Sequence, residues 1–235
     1  MSPEPVVAVL AYHRVGPPPD DSWETWFSVD EDTFSGQLAL LAAGGWAPIG
    51  VDELLAGLED PAALPGRAAL VTFDDGFRTL TGSARACLAD QGYPAAVFVP
   101  AGYVGRSNEW DAGTAEPEEA ICDWDDLRAL DRTGLSVQSH GVSHRAFSEL
   151  DPDERRRELA DSKRALESGL GKKVELFAYP YGDEGTGASK AVADAGYRAA
   201  FIYEGGPFRL PAADRYRLPR IPIGSDTDLE TELAR

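Results

Sequence analysis

An α/β barrel wound on a parallel sheet is the fold class the sequence predicts, and three observations predict it. Short apolar runs of strand length alternate with helical stretches along the whole 235-residue chain, the pattern of parallel strands joined by crossover helices. About seven or eight strands in a chain of this length favour closure into a barrel over an open sheet. Polar residues follow directly on the apolar runs at His13, Asp74-Asp75, His140, Tyr181 and, more loosely, Arg220. These are the C-terminal ends of the strands, the face on which α/β active sites form. No linker interrupts the pattern, so residues 1–235 read as one domain.

Taken in order, Val6 to Ala11 is an apolar strand that ends in Tyr12 and His13. Gly16-Pro17-Pro18-Pro19 breaks regular structure, and Trp23 and Trp26 fall in the loop beyond. Asp30 to Ala43 is a helix with Phe34, Leu38 and Leu41 on one face and Gly44-Gly45 as its stop. Trp46–Ile49 is a short strand and Val51–Leu58 a short helix. Arg67–Phe73 is a buried strand that runs into Asp74-Asp75-Gly76. Thr79–Gln91 is a helix ended by Gly92, and Ala95–Val99 another apolar strand. Residues 101–120 show no periodicity and much Gly, Glu and Asp, and a loop of that length in a compact domain is usually functional or mobile. Asp123–Asp131 is helical, and Leu135–Ser139 is a strand leading to His140. Asp151 to Leu170 is the best-marked helix, with Asp151 as cap, Pro152 in the first turn, Glu154 closing the capping box and Gly171 as the stop. Val174–Ala178 is a strand, Gly187–Ala195 a helix, Ala199–Tyr203 a strand, Arg217–Ile223 the last strand, and a short helix follows Asp226.

Composition narrows the class. A formal charge of −18 argues against nucleic acid and anionic membranes as partners. Two cysteines, Cys87 and Cys122, are too few for a disulfide framework or a cysteine-rich metal site. The N-terminus has no basic region, and no apolar run approaches the roughly 20 residues needed to cross a bilayer. The expectation is a soluble cytoplasmic protein without membrane insertion. Nothing in the sequence points to a protein partner.

The chemistry concentrates in two places. Two carboxylates at the end of a buried strand are costly unless a cation or base pairs them. Ser139-His140-Gly141-Val142-Ser143-His144 spends two of the three histidines on one HxxxH spacing, which puts both imidazoles on one face if the chain turns helically. Two imidazoles and one carboxylate make a metal triad with open positions for water and substrate.

The motifs Thr72-Phe73-Asp74-Asp75-Gly76, Ser139-His140-xxx-His144 and Phe177-Ala178-Tyr179-Pro180-Tyr181-Gly182 resemble, in order and approximate spacing, the first three motifs of the polysaccharide deacetylase family. This is the NodB-homology domain, or carbohydrate esterase family 4. Tyr12-His13-Arg14 and Leu218-Pro219-Arg220-Ile221 are similar to the branch that includes poly-N-acetylglucosamine deacetylases. The resemblance implies an irregular (β/α)7 barrel, with Asp75, His140 and His144 binding a divalent metal, usually zinc. It also implies Asp74 as general base, the backbone N–H of Tyr181 as oxyanion donor, Pro180 and Gly182 fixing that turn, and an N-acetylated sugar or glycoconjugate as substrate.

The chain departs from the family pattern twice. Ala178 stands where the third motif commonly carries an arginine, and Arg220 is expected to supply that guanidinium. The late Leu-x-His is absent, which leaves His13 as the candidate acid or substrate contact. Tyr12, Pro180 and Trp124 are further candidate substrate contacts, as are the loop residues Trp23, Trp26 and Trp110. Two alternatives stay open at this level. The departures suit a sugar-binding relic, and the triad also suits a ferrous-iron oxygenase.

Overall fold

The computed structural model describes residues 4–16, 27–114 and 116–235. The expectations for Trp23 and Trp26 lie outside these residues. The strands, in chain order, are β1 (Val6–Tyr12), β2 (Arg14–Val15), β3 (Ser28–Val29), β4 (Ala47–Pro48), β5 (Arg67–Phe73), β6 (Ala95–Val99), β7 (Leu135–Ser139), β8 (Leu176–Ala178), β9 (Ala199–Phe201), β10 (Phe208–Arg209) and β11 (Ile221–Pro222). The α-helices are α1 (Glu31–Ala43), α2 (Val51–Glu59), α3 (Ser83–Gln91), α4 (Trp124–Arg132), α5 (Pro152–Leu170), α6 (Ala188–Asp194) and α7 (Leu229–Leu233).

The main sheet runs β1-β5-β6-β7-β8-β9 in parallel, with β10 antiparallel on the outer side of β1. The segment around β11 joins its two ends. Leu218 bridges to Phe201, and Leu10 and Ala11 pair in parallel with Ile221 and Pro222. Seven parallel staves thus form an irregular barrel, as the sequence predicts.

The strands β1 and β6 are apolar on both faces because helices cover the outside and side chains fill the inside. In β1, Ala8, Leu10 and Tyr12 join one core with Phe34, Leu38 and Leu41 of α1. Val7 and Val9 join a second core with Leu70, Phe98, Phe201 and Leu54 of α2. Burying two faces of one sheet needs this unbroken apolar run, which is why β1 and β6 show no polar alternation; β7, with Ser136, Gln138 and Ser139, departs from it.

Several predicted boundaries move, three of them for an identifiable local reason. The strand predicted from Val174 begins at Leu176, because the N–H groups of Glu175 and Leu176 both donate to Gln138 Oε1 at 2.9 Å instead of to a ladder. The strand predicted over Arg217–Ile223 shrinks to Ile221–Pro222, since Pro219 and Pro222 have no N–H to pair. The helix predicted from Thr79 divides at Gly82 into a 3₁₀ turn and α3. Among the described residues no helix is long and apolar enough to cross a membrane.

Candidate active site

Register brings the first two site residues together. Tyr12 of β1 pairs with Phe73 of β5, so His13 and Asp74 leave the two strands side by side at the barrel mouth. Alternation then separates Tyr12 from its neighbour. Its ring is buried against Phe34 and Phe73, and its hydroxyl donates to Gln37 Oε1 at 2.7 Å. Tyr12 is therefore a core residue and not a substrate contact.

After Asp74 the chain turns sharply. Asp75 takes φ +68° and Gly76 φ +69°, and Gly76 N–H donates to the Asp74 carbonyl at 2.8 Å. A Cβ on Gly76 would fall 2.9 Å from Val99 Cγ2, so only glycine fits. The left-handed turn aims the two adjacent carboxylates at different partners. Asp74 lies against Arg220, whose NH1 and NH2 donate to Oδ1 and Oδ2 at 2.7 and 2.8 Å. Arg220 also donates from Nε to the Ile202 carbonyl at 3.0 Å and has no exposed surface. Burial pushes the Asp74 carboxyl up, but the Arg220 charge, with the neighbouring imidazoles and the fork itself, outweighs it and holds the group below its ordinary range.

Asp75 turns to the histidines, its Oδ1 lying 3.0 Å from His144 Nε2 and 3.6 Å from His140 Nε2. Burial raises its carboxyl, and the facing imidazoles, His144 first, lower it by more. His140 Nδ1 sits 2.7 Å from the Ala178 carbonyl, which can only accept. The ring therefore donates there and presents its Nε2 lone pair to Asp75. Burial brings the His140 pKa down to about 4, so the ring is neutral at neutral pH.

Three non-glycine residues among those described have positive φ, namely Asp75, His144 and Tyr181. All three are at this site. Left-handed backbone costs about 1 kcal/mol or more at such residues and persists where the surroundings impose it.

Asp75, His140 and His144 each offer a ligand atom within 4.8 Å of the others. Donors about 2.0–2.1 Å from a tetrahedral ion lie about 3.3 Å apart, a value the Asp75–histidine distances bracket. Asp75 Oδ1 is buried and has no hydrogen-bond partner among the described residues. A buried, unpaired carboxylate oxygen facing two imidazole nitrogens fits a divalent cation.

A cavity of about 300 Å³ opens above this cluster. His13, Asp74, Asp75, His140, His144 and Tyr181 line it, all of them sequence candidates. Arg14, Phe27, Phe77, Trp110, Asp111, Glu116 and Tyr203 complete the wall. Tyr181 is 60% exposed at the rim, and Pro180, buried below it, opens the turn without lining the cavity. Trp110 was placed by its loop, but its ring lies on His144 at 4.4 Å between centroids, tilted 31°. Trp124 is not at the cavity. It starts α4, and its ring covers Gly169 of α5 so closely that a Cβ there would be 2.1 Å from Trp124 Cζ3. Tyr203 was missed, although it stands just past the end of β9 by the same rule that singled out His13 and His140. Its hydroxyl is 3.4 Å from His13 Nδ1. Burial lowers the His13 pKa, only partly opposed by Asp75 and Asp74.

The closed parallel barrel thus carries at its mouth a carboxylate–imidazole cluster and, beside it, a separate buried carboxylate held by an arginine. The sequence profile of the family described as "Polysaccharide deacetylase" matches residues 62–200, more than half the chain, and the chain belongs to that family of hydrolytic enzymes. YxkH of Bacillus subtilis (strain 168), classed with the polysaccharide deacetylases, is 23% identical over 198 residues. The match covers 84% of this chain and 64% of that protein, so the chain spans less than two thirds of its relative's length. Among solved structures, the Streptococcus pyogenes deacetylase PplD in complex with acetate superposes with TM-score 0.83 at 21% identity, covering 98% of this chain and 99% of PplD. IcaB from Ammonifex degensii superposes with TM-score 0.81 at 26% identity, covering 99% and 96%.

Proposed function

We propose that the chain hydrolyses the amide of an N-acetylated amino sugar, free or in a glycoconjugate, to acetate and an amine. The observation that carries this reading is the division of labour between Asp74 and Asp75. One carboxylate faces two imidazoles, and its neighbour is forked by Arg220. Asp75, His140 and His144 would hold the divalent ion, with zinc the choice the donor set favours. When bound, such an ion supplies a water of pKa near 7 and a Lewis acid for the acyl oxygen.

Asp74, kept ionised by Arg220, accepts the proton of the attacking water as its oxygen bonds to the acyl carbon. The backbone N–H of Tyr181, a residue that lines the cavity, is the second donor for the developing oxyanion. As the C–N bond breaks, the proton that Asp74 took from the water passes through His13, which leaves its strand beside Asp74, to the leaving nitrogen, with the Tyr203 hydroxyl 3.4 Å from His13 Nδ1. Phe27, Phe77 and Trp110 offer apolar wall for a sugar face. The cavity sits at the small end of ligand sites, which suits one acetamido sugar at the point of reaction.

The departures from the family pattern do not favour a relic, because Arg220 reaches Asp74 in the place left by Ala178 and His13 lies at the mouth. The test is acetate release from an N-acetylglucosamine oligomer by metal-loaded, chelated and zinc-restored protein. Release that stops with chelator and returns with zinc supports the reading. Zinc-loaded protein that frees no acetate from any N-acetylated sugar in a panel would sink it.

A further inference from the structure

The two histidines of the cluster are not held in the same way. His140 is fixed through its far nitrogen, which donates to the Ala178 carbonyl. His144 has no such anchor, since its Nδ1 is buried and without a hydrogen-bond partner among the described residues. Its ring is bracketed by Trp110, at 4.4 Å, and by Tyr181, at 4.8 Å. Rings in contact resist tilting but do not fix the position of the Cα, so that position must come from the backbone.

The backbone between the two histidines is tied to one carboxylate. Glu158, on α5, accepts at Oε2 from Val142 N–H at 2.6 Å and from Ser143 N–H at 2.9 Å. At Oε1 it accepts from the Ser143 hydroxyl at 2.6 Å. On the opposite side the carbonyls of Gly141 and Val142 accept from Ala101 and Gly102 N–H at 2.8 and 3.0 Å. The loop carries left-handed residues at both ends, Gly141 (φ +80°) and His144 (φ +57°). Such a turn points successive N–H groups into one concavity that favours an anion. Here the anion is supplied from within by Glu158.

We infer that Glu158 is a positioning residue for the metal centre: its carboxylate clamps the Gly141–Ser143 turn and thereby sets His144 against Asp75 and His140. It touches neither substrate nor ligand atoms. The inference rests on the reading of Asp75, His140 and His144 as metal ligands. Outer partners that orient ligands are worth about 10- to 100-fold in metal affinity, and that is the loss expected for Glu158→Ala. Glu158→Gln keeps one oxygen for the two backbone N–H groups and should recover most of the affinity.

The experiment measures the zinc dissociation constant of wild type, Glu158→Ala and Glu158→Gln by competition with a chromophoric chelator. Thermal unfolding of the metal-free proteins and the visible spectrum of the cobalt(II) forms are recorded beside it. The expected result is about 10- to 100-fold weaker zinc binding and an altered cobalt spectrum in Glu158→Ala, with near wild-type values in Glu158→Gln. Should Glu158→Ala not fold, Ser143→Ala, which removes one of the three bonds, is expected to show a smaller loss in the same direction. Wild type that binds no zinc overturns the metal reading and this inference together. Folded variants that bind zinc as tightly as wild type overturn the inference alone.

Discussion

Arg220 and Asp74, 146 residues apart in sequence, meet as a two-pronged ion pair of 2.7 and 2.8 Å with both side chains almost wholly buried. Arg220→Ala leaves a buried carboxylate without its counter-charge, a loss of about 3–5 kcal/mol. Arg220→Lys keeps the charge but cannot fork. It is expected to fold, with activity down at least about tenfold. Urea unfolding and acetate release on the two variants check both statements.

Asp74→Asn and His140→Ala should separate chemistry from metal. The first is expected to keep one zinc per chain after dialysis while turnover falls by about 10²–10⁴-fold. The second is expected to lose the zinc itself. Metal analysis by plasma mass spectrometry distinguishes them, and full turnover by Asp74→Asn would remove the base assignment.

For His13→Gln the leaving group is the diagnostic. Amide hydrolysis should fall by about 10²–10⁴-fold, whereas p-nitrophenyl acetate, whose leaving group needs no proton, should be hydrolysed close to the wild-type rate. Equal losses on both substrates would point to a positional role for His13.

Tyr12→Phe removes the donor to the buried Gln37 oxygen. Stability is expected to drop by about 1–3 kcal/mol, with KM for sugar oligomers unchanged. A raised KM at unchanged stability would restore Tyr12 to the substrate site.

Gly169→Ala sets two effects against each other. Alanine in a helix gains about 1 kcal/mol over glycine, but the new methyl would meet the Trp124 ring at 2.1 Å. Overpacking costs about 1–3 kcal/mol, so a net loss is expected, together with a changed tryptophan emission and unchanged KM. Trp124 acts in packing, and only a substrate role would move KM.

Much of the fold was readable because its causes are local. Apolar runs of strand length mark the buried staves, and Asp151, Pro152 and Gly171 mark both ends of α5. The register of short strands was not readable. Gln138 replaces ladder bonds to Glu175 and Leu176 from a different strand, which no local pattern signals. The site divides in the same way. The residues at strand ends, His13, Asp74, Asp75 and His140, were found because the alternation of elements places every such residue on one face.

What the sequence by itself determined is which side chains end the staves and what chemistry they can carry, because strand ends follow from short-range apolar patterning. Tertiary structure alone decided the partnerships. Alternation along β1 sends Tyr12 into the helix-side core and leaves His13 beside Asp74. The closing segment before β11 carries Arg220 to a carboxylate 146 residues away. A buried charge is stable only beside its complement, so the barrel's closure determines which of two adjacent aspartates is neutralised by arginine and which is left facing the histidines.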